Sequence, residues 1–311
     1  MVAAVEKMFS VRETPWHRLG SVLENSPSLS EAIKLAGLDW EVGLKKLFTE
    51  DGVPVKHWAT YRKSDNSILG VVGPRYTPLQ NADAFNWFEP FIKSKEVTLT
   101  TAGSLNSGQV VWMLAQIKRA NEEIIKGDSI TKFLLLSNSH DGKLSVRVGF
   151  TPIRVVCANT LSMAHSAKDS KLIRLRHSRQ VKENLDSVRE TIDVINQQFE
   201  MTAEQYRYLA SRHINSSDLR KYVKVVLGFE NIKDVDMKTR SKNQVEKILQ
   251  LCEAGRGTDI NGVRGTWWGA MNAVTEYYNF EYGRTQNNRL SNLWFGNKDK
   301  FALDKALEMA V

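Results

Sequence analysis

An α+β fold is predicted for this chain: an antiparallel β-sheet with hairpins in the N-terminal half, helices packed on it, and a mostly helical C-terminal half. Three observations predict it. Apolar and polar residues alternate in short runs as far as Phe150, and apolar residues recur at three- and four-residue spacing from Val155 onward. Strands first and helices later is the order of an α+β fold. The 311 residues are 42 % apolar and 25 % charged, an ordinary globular composition, and at this length a chain buries roughly 75 % of its extended surface. The change of period divides the chain into residues 1–165, a sheet core, and residues 166–311, a basic segment and helical region packed on that core.

Each element has a local cause. Ser28-Leu29-Ser30-Glu31 has the spacing of a capping box, and Gly37 can close the short helix that follows. Trp40, Val42 and Leu44 then alternate as a strand. Val55 to Arg62 and Ile68 to Val72 flank Ser64-Asp65-Asn66, a hairpin signal. Asn81 can cap a helix carrying Ala84, Phe85, Phe88, Phe91 and Ile92, with Pro90 in its last turn. Gln109 to Ile117 and Ile130 to Leu136 are strands. Asp141-Gly142 reads as a turn into a third, Lys143 to Phe150, whose basic face holds Lys143 and Arg147 and which Pro152 ends. Val181, Leu185, Val188, Ile192, Ile195 and Phe199 form an amphipathic seam, and Thr202 with Gln205 looks like a fresh cap. Further helices are expected from Ser216 or Ser217 to Gly228, Ser241 to Ala254, Trp267 to Tyr278 and Ala302 to Ala310.

The net charge is +8, and half of it is local. Lys168, Lys171, Arg174, Arg176, Arg179, Lys182 and Arg189 face only Asp169, Glu183 and Asp186 along the same stretch. The preceding strand adds Lys143, Arg147 and Arg154. Such clusters neutralise phosphate backbones by counterion release, and guanidinium forks suit phosphate better than ammonium does. A basic groove beside aromatic rings would suit a single strand. The same charges also fit a solvated surface.

Other candidates are weaker. Gly255-Arg256-Gly257 with Gly262, Arg264 and Gly265 is Gly-rich and could offer N–H groups, Arg256 and Arg264 to a phosphate at the start of the Trp267 helix; a helix cap at Gly255 plus tight turns is the simpler account. The six histidines are scattered and neither cysteine has a close partner, so no metal and no cofactor is expected. His140-Asp141 could be catalytic, but an Asp-Gly turn explains Asp141. Cys157 with His165 or His177 could be nucleophile and base, yet Cys157 sits in an apolar run. Pro15-Trp16-His17 reads as a turn with an anchoring aromatic. Two cysteines, no long apolar run and no signal-peptide core point to a cytoplasmic protein without a membrane span.

Several motifs together resemble the phage/plasmid-like protein family of unknown function. They are Glu13-Thr14-Pro15-Trp16-His17-Arg18-Leu19-Gly20, Ala36 to Trp40, Arg75 to Asn81, Thr101-Ala102-Gly103, Asn138 to Gly142, Thr151 to Leu161 and Asn272 to Tyr277. Arg18 stands where that motif usually has Gly. The resemblance implies a prophage, phage or plasmid source and so a bacterial host cytoplasm. Hairpins, a basic segment and a long amphipathic helix are also similar, coarsely, to phage single-strand annealing recombination proteins, which implies a ring- or filament-forming homo-oligomer. The expected function is single-stranded DNA binding and annealing without catalysis. Its contacts are Lys143, Arg147, Arg154, Lys168, Lys171, Arg174, Arg176, Arg179, Lys182, Arg256 and Arg264. A factor that binds a host protein and a DNA-processing nuclease using His140 and Asp141 are the rival readings.

Overall fold

The computed structural model describes residues 5–12, 20–154, 173–188, 192–282 and 298–311. In chain order its strands and helices are β1 (Val5–Val11), β2 (Ser21–Leu23), α1 (Leu29–Leu35), β3 (Val42–Phe48), β4 (Pro54–Arg62), β5 (Ile68–Val72), α2 (Asn81–Asn86) and α3 (Glu89–Lys93). There follow β6 (Val97–Leu105), β7 (Val110–Ile125), β8 (Asp128–Ser139), β9 (Val146–Arg154), β10 (Ile173–Leu175) and α4 (Val181–Ser187). The last are α5 (Ile192–Ser211), α6 (Ser216–Leu227), α7 (Thr239–Ala254), α8 (Trp267–Glu276) and α9 (Lys298–Met309). The fold is α+β. Seven strands form one sheet in the order β10-β9-β8-β7-β6-β1-β2, and β3-β4-β5 form a second. The β1–β6, β6–β7 and β9–β10 pairs are antiparallel, whereas β1–β2 is parallel, so the larger sheet is mixed.

Two compact units emerge. The first takes the described residues within 1–119, 133–150 and 171–196, and the second those within 120–132, 151–170 and 197–311. The first buries Phe9, Leu38, Phe85, Trp87, Phe88 and Leu99 with Leu134, Leu136, Val146 and Val148, plus Val181 and Leu185 from α4. In the second, α8 is buried along its whole length, as a helix apolar on all sides must be. Its Asn272 and Thr275 return their hydrogen bonds to the carbonyls of Trp268 and Met271. Around it pack Tyr206, Tyr222, Val245 and Ile248, with Ile124 and Ile130.

Local signals explain many boundaries. The Ser28 capping box forms: the Glu31 N–H bonds the Ser28 hydroxyl and the Ser28 N–H bonds the Glu31 carboxylate at 2.9 Å. The β4–β5 hairpin turns at Ser64-Asp65-Asn66, and α6 stops at Gly228. Other expectations are corrected. The Ala84–Ile92 helix is two short helices, and Asn81 opens α2 without capping it. Lys143 lies in the 140–145 connection and not on a strand, because β9 starts at Val146. Pro152 does not end β9, whose pairing with β10 has already stopped at Val148. Leu44 is exposed and breaks the β3 alternation. The Val181–Phe199 seam is not one helix: α4 ends at Ser187, and α5 runs straight through Thr202, which is buried inside it.

Candidate nucleic-acid interface

β9 alternates Val146, Val148 and Phe150 into the core, which sends Arg147 to the opposite face. β10 pairs with it so that Arg174 stands directly opposite Arg147. Arg147 is half-buried and Arg174 exposed. Burial first, then the Arg174 charge, lowers the Arg147 pKa from its ordinary value. Like charges directly across a strand pair cost stability, so two guanidinium groups at this register are a concentrated positive site. Arg176 and Arg179 follow, both exposed. Lys143 is exposed too, its ammonium 3.3 Å from Asp141. Lys182, on α4, is paired with Asp83 at 2.7 Å, which raises its pKa.

A buried polar support holds this segment in place. The His177 ring stacks on Tyr76 with centroids 4.6 Å apart, and the Thr77 N–H donates to the His177 carbonyl at 3.1 Å. The Tyr76 hydroxyl donates to the Ser139 carbonyl at 2.9 Å, while Asp141 accepts from the Ser139 hydroxyl and the Lys143 N–H. Burial, reinforced by Asp141, raises the Tyr76 pKa.

His140, with no exposed surface, sits between the two sheets. Its Nε2 lies 2.9 Å from Asn81 Oδ1. The Asn81 amide nitrogen is committed to the Leu38 carbonyl at 3.1 Å, so Oδ1 accepts and Nε2 carries the proton, an assignment made from the network. Thr60 donates to the His140 carbonyl at 2.7 Å. Trp40 meets the imidazole edge-on at 5.4 Å and lies under Arg62, whose guanidinium grips Glu6 through two 2.7 Å bonds. Burial, then the charges of His177 and Arg62, push His140 down to about 3. Burial pushes His177 down to about 4, against smaller opposing effects from the backbone at Thr77 and Leu144 and from Asp141. The Arg75–Asn81 and Asn138–Gly142 motifs therefore meet in one network. His140, considered as a catalytic group from the sequence, is enclosed and positions backbone instead. Asn and His flanked by buried apolar positions were the available signal.

The remaining candidates have different settings. Arg256 donates its backbone N–H to Glu276 at 2.9 Å, and its guanidinium lies 4.0 Å above the Phe280 ring and 3.8 Å from the same carboxylate. Arg264 is 3.7 Å from Glu253. Both belong to the second unit, and the start of α8 is capped by the Thr266 hydroxyl rather than open to a phosphate. Gly255 closes α7 by bonding the Leu251 carbonyl at 2.8 Å. An open surface depression in this unit, lined by Arg240, Gln244, Lys247, Tyr277 and Glu281 among others, had no signal in the sequence. Cys252 is buried, its thiol pushed up to about 12, so it stays protonated and inert. The Arg154 side chain, Lys168, Lys171, Arg189, Cys157, His165 and Pro15-Trp16-His17 lie outside the described residues. Among the described residues no group of three or more His, Cys, Asp or Glu side chains could hold a metal ion.

The molecule is an α+β protein whose edge strand β10 carries Arg174 beside Arg147 of β9. The chain belongs to the family described as a domain of unknown function, DUF932, which matches residues 68–294. That span contains Tyr76, Asn81, His140, Arg147 and Arg174 as well as Arg256 and Arg264. No curated protein and no solved structure matches the chain. Among the described residues no helix is long and apolar enough to cross a membrane.

Proposed function

We propose that this protein binds single-stranded DNA through its phosphate backbone and promotes annealing without catalysis. In this reading it is a phage or plasmid protein working in the bacterial host cytoplasm as a homo-oligomer. One observation carries the proposal. Arg147 and Arg174 face each other across β9 and β10, with Arg176 and Arg179 exposed just beyond. Two guanidinium groups in register concentrate donors of a shape that suits phosphate oxygens. The stacked His177–Tyr76 pair favours the same reading, because it orders the arginine segment before any ligand arrives. Lys143 and Lys182, each beside a carboxylate, and Arg154, Lys168 and Lys171 extend the proposed contact, whereas Arg256 and Arg264 belong to the second unit. Fluorescence anisotropy with a labelled oligonucleotide across a salt series tests it. Affinity should fall steeply as salt rises, and a flat profile would sink the proposal. Mass photometry should show a larger assembly when the oligonucleotide is added.

A further inference from the structure

We propose that the free edge of β3 is a contact between two copies of this chain, joined antiparallel about a two-fold axis at Phe48. This gives the homo-oligomer of the reading above a surface, and it stands whether or not the protein binds a strand. β3 is an outer strand of the three-stranded sheet. The Gln80 side chain accepts from the Val42 N–H at 2.8 Å and donates to the Val42 carbonyl at 3.0 Å. Val42 thus turns its backbone groups away from β4 and, by alternation, so do Leu44, Lys46 and Phe48. The bulge in this pair lies on β4, at Lys56 and His57, so β3 keeps its alternation to the end. Among the described residues nothing does for these three what Gln80 does for Val42.

Exposure and charge select the occupant. β5 pairs with β4 only from Trp58 onward, so the outer part of the β3–β4 hairpin is a two-stranded ribbon, a form that is marginal in water by itself. From Leu44 to His57 every residue except Leu47 is exposed, with Phe48 at 57 %. An uncovered apolar edge of this kind invites another strand, and a lysine on it ordinarily repels one. Here the repulsion has a complement, because the tip of the same ribbon carries Glu50. Neither Lys46 nor Glu50 has an ion partner among the described residues. An antiparallel pairing centred on Phe48 sets that ring against its own counterpart. It also sets Lys46 of each copy opposite Glu50 of the other, two opposite-charge pairs by symmetry. The surface is therefore complementary to itself, as a two-fold contact requires.

Sedimentation velocity of the full-length chain without nucleic acid, over a concentration series, tests the contact. A monomer–dimer equilibrium is expected. Phe48→Ser should weaken it about tenfold or more, through loss of the aromatic contact at the axis. Lys46→Glu and Glu50→Lys should each weaken it roughly 2- to 30-fold, for two exposed ion pairs. The chain carrying both changes should regain the unaltered affinity, since the pairs return with their signs exchanged. All three positions are exposed, so the fold is not at stake. A monomer at every concentration, a dimer indifferent to these changes, or no recovery in the double exchange would overturn the contact. Strand binding is read separately by the anisotropy series on the unaltered protein, and its failure leaves this contact standing.

Discussion

Arg147 and Arg256 show the same side chain under opposite electrostatic conditions. Arg256 meets Glu276 through its backbone and its guanidinium and rests on Phe280. Arg147 is half-buried and faces Arg174, whose charge adds to its desolvation. Both units also hold paired charges, such as Arg62 with Glu6 in the first. In the second, Arg207 joins Glu122 and Glu204, and Arg220 joins Asp234 and Glu246. The first keeps two neutral histidines inside and arginines in register at its edge.

Acid should break this comparison most severely. His140 and His177 stay neutral in the folded chain to about 3 and about 4, while in the unfolded chain they take up protons below about 6.5. Stability is therefore full above about pH 6.5 and declines as pH falls toward 4, by up to about 1.4 kcal/mol per pH unit for each ring. Hydrogen exchange at pH 4.5 should show the first unit opening before the second, and His177→Phe should flatten the pH profile. Equal opening of both units would remove the contrast.

Binding is the next measure. Arg147→Gln with Arg174→Gln should lower oligonucleotide affinity about tenfold and reduce the magnitude of the salt slope by about 1.4, for two lost phosphate contacts. Arg256→Gln with Arg264→Gln should leave both unchanged. Glu276→Gln, which removes a largely buried anion from the Arg256 backbone, should cost about 1 to 2 kcal/mol in urea denaturation without touching binding. The smallest effect has the opposite sign. Arg174→Gln alone should stabilise the fold by about 0.5 kcal/mol in a thermal melt, because it relieves the facing charges.

The parts legible in the sequence were those with a local cause. The Ser28–Glu31 box, the Asp65 hairpin and the Gly228 stop involve residues within a few positions of one another. The basic segment was legible as composition, and its Arg147–Arg174 register was not, since register depends on partners 27 positions away. The outer half of β7 was missed because Lys118 to Glu123 look like a polar loop. Their extended form is held by Thr131 bonding Asn121 at 2.9 Å and Arg207 bonding Glu122 at 2.5 Å. Thr202 looked like a cap because its spacing to Gln205 is right, yet burial inside α5 decided otherwise. Asn81 looked like a cap too, and its partners at Leu38 and His140 are long-range.

The route of the chain through its two units also governs how it can be made. The first unit lacks β10 until synthesis has passed residue 175, and the second draws residues 120–132 from a much earlier stretch. No single cut separates them, so a truncation at any one of the crossings leaves one fragment with an unfinished sheet and the other without its early segment. A nascent chain has to hold β1 and β6–β8 unclosed while later segments emerge.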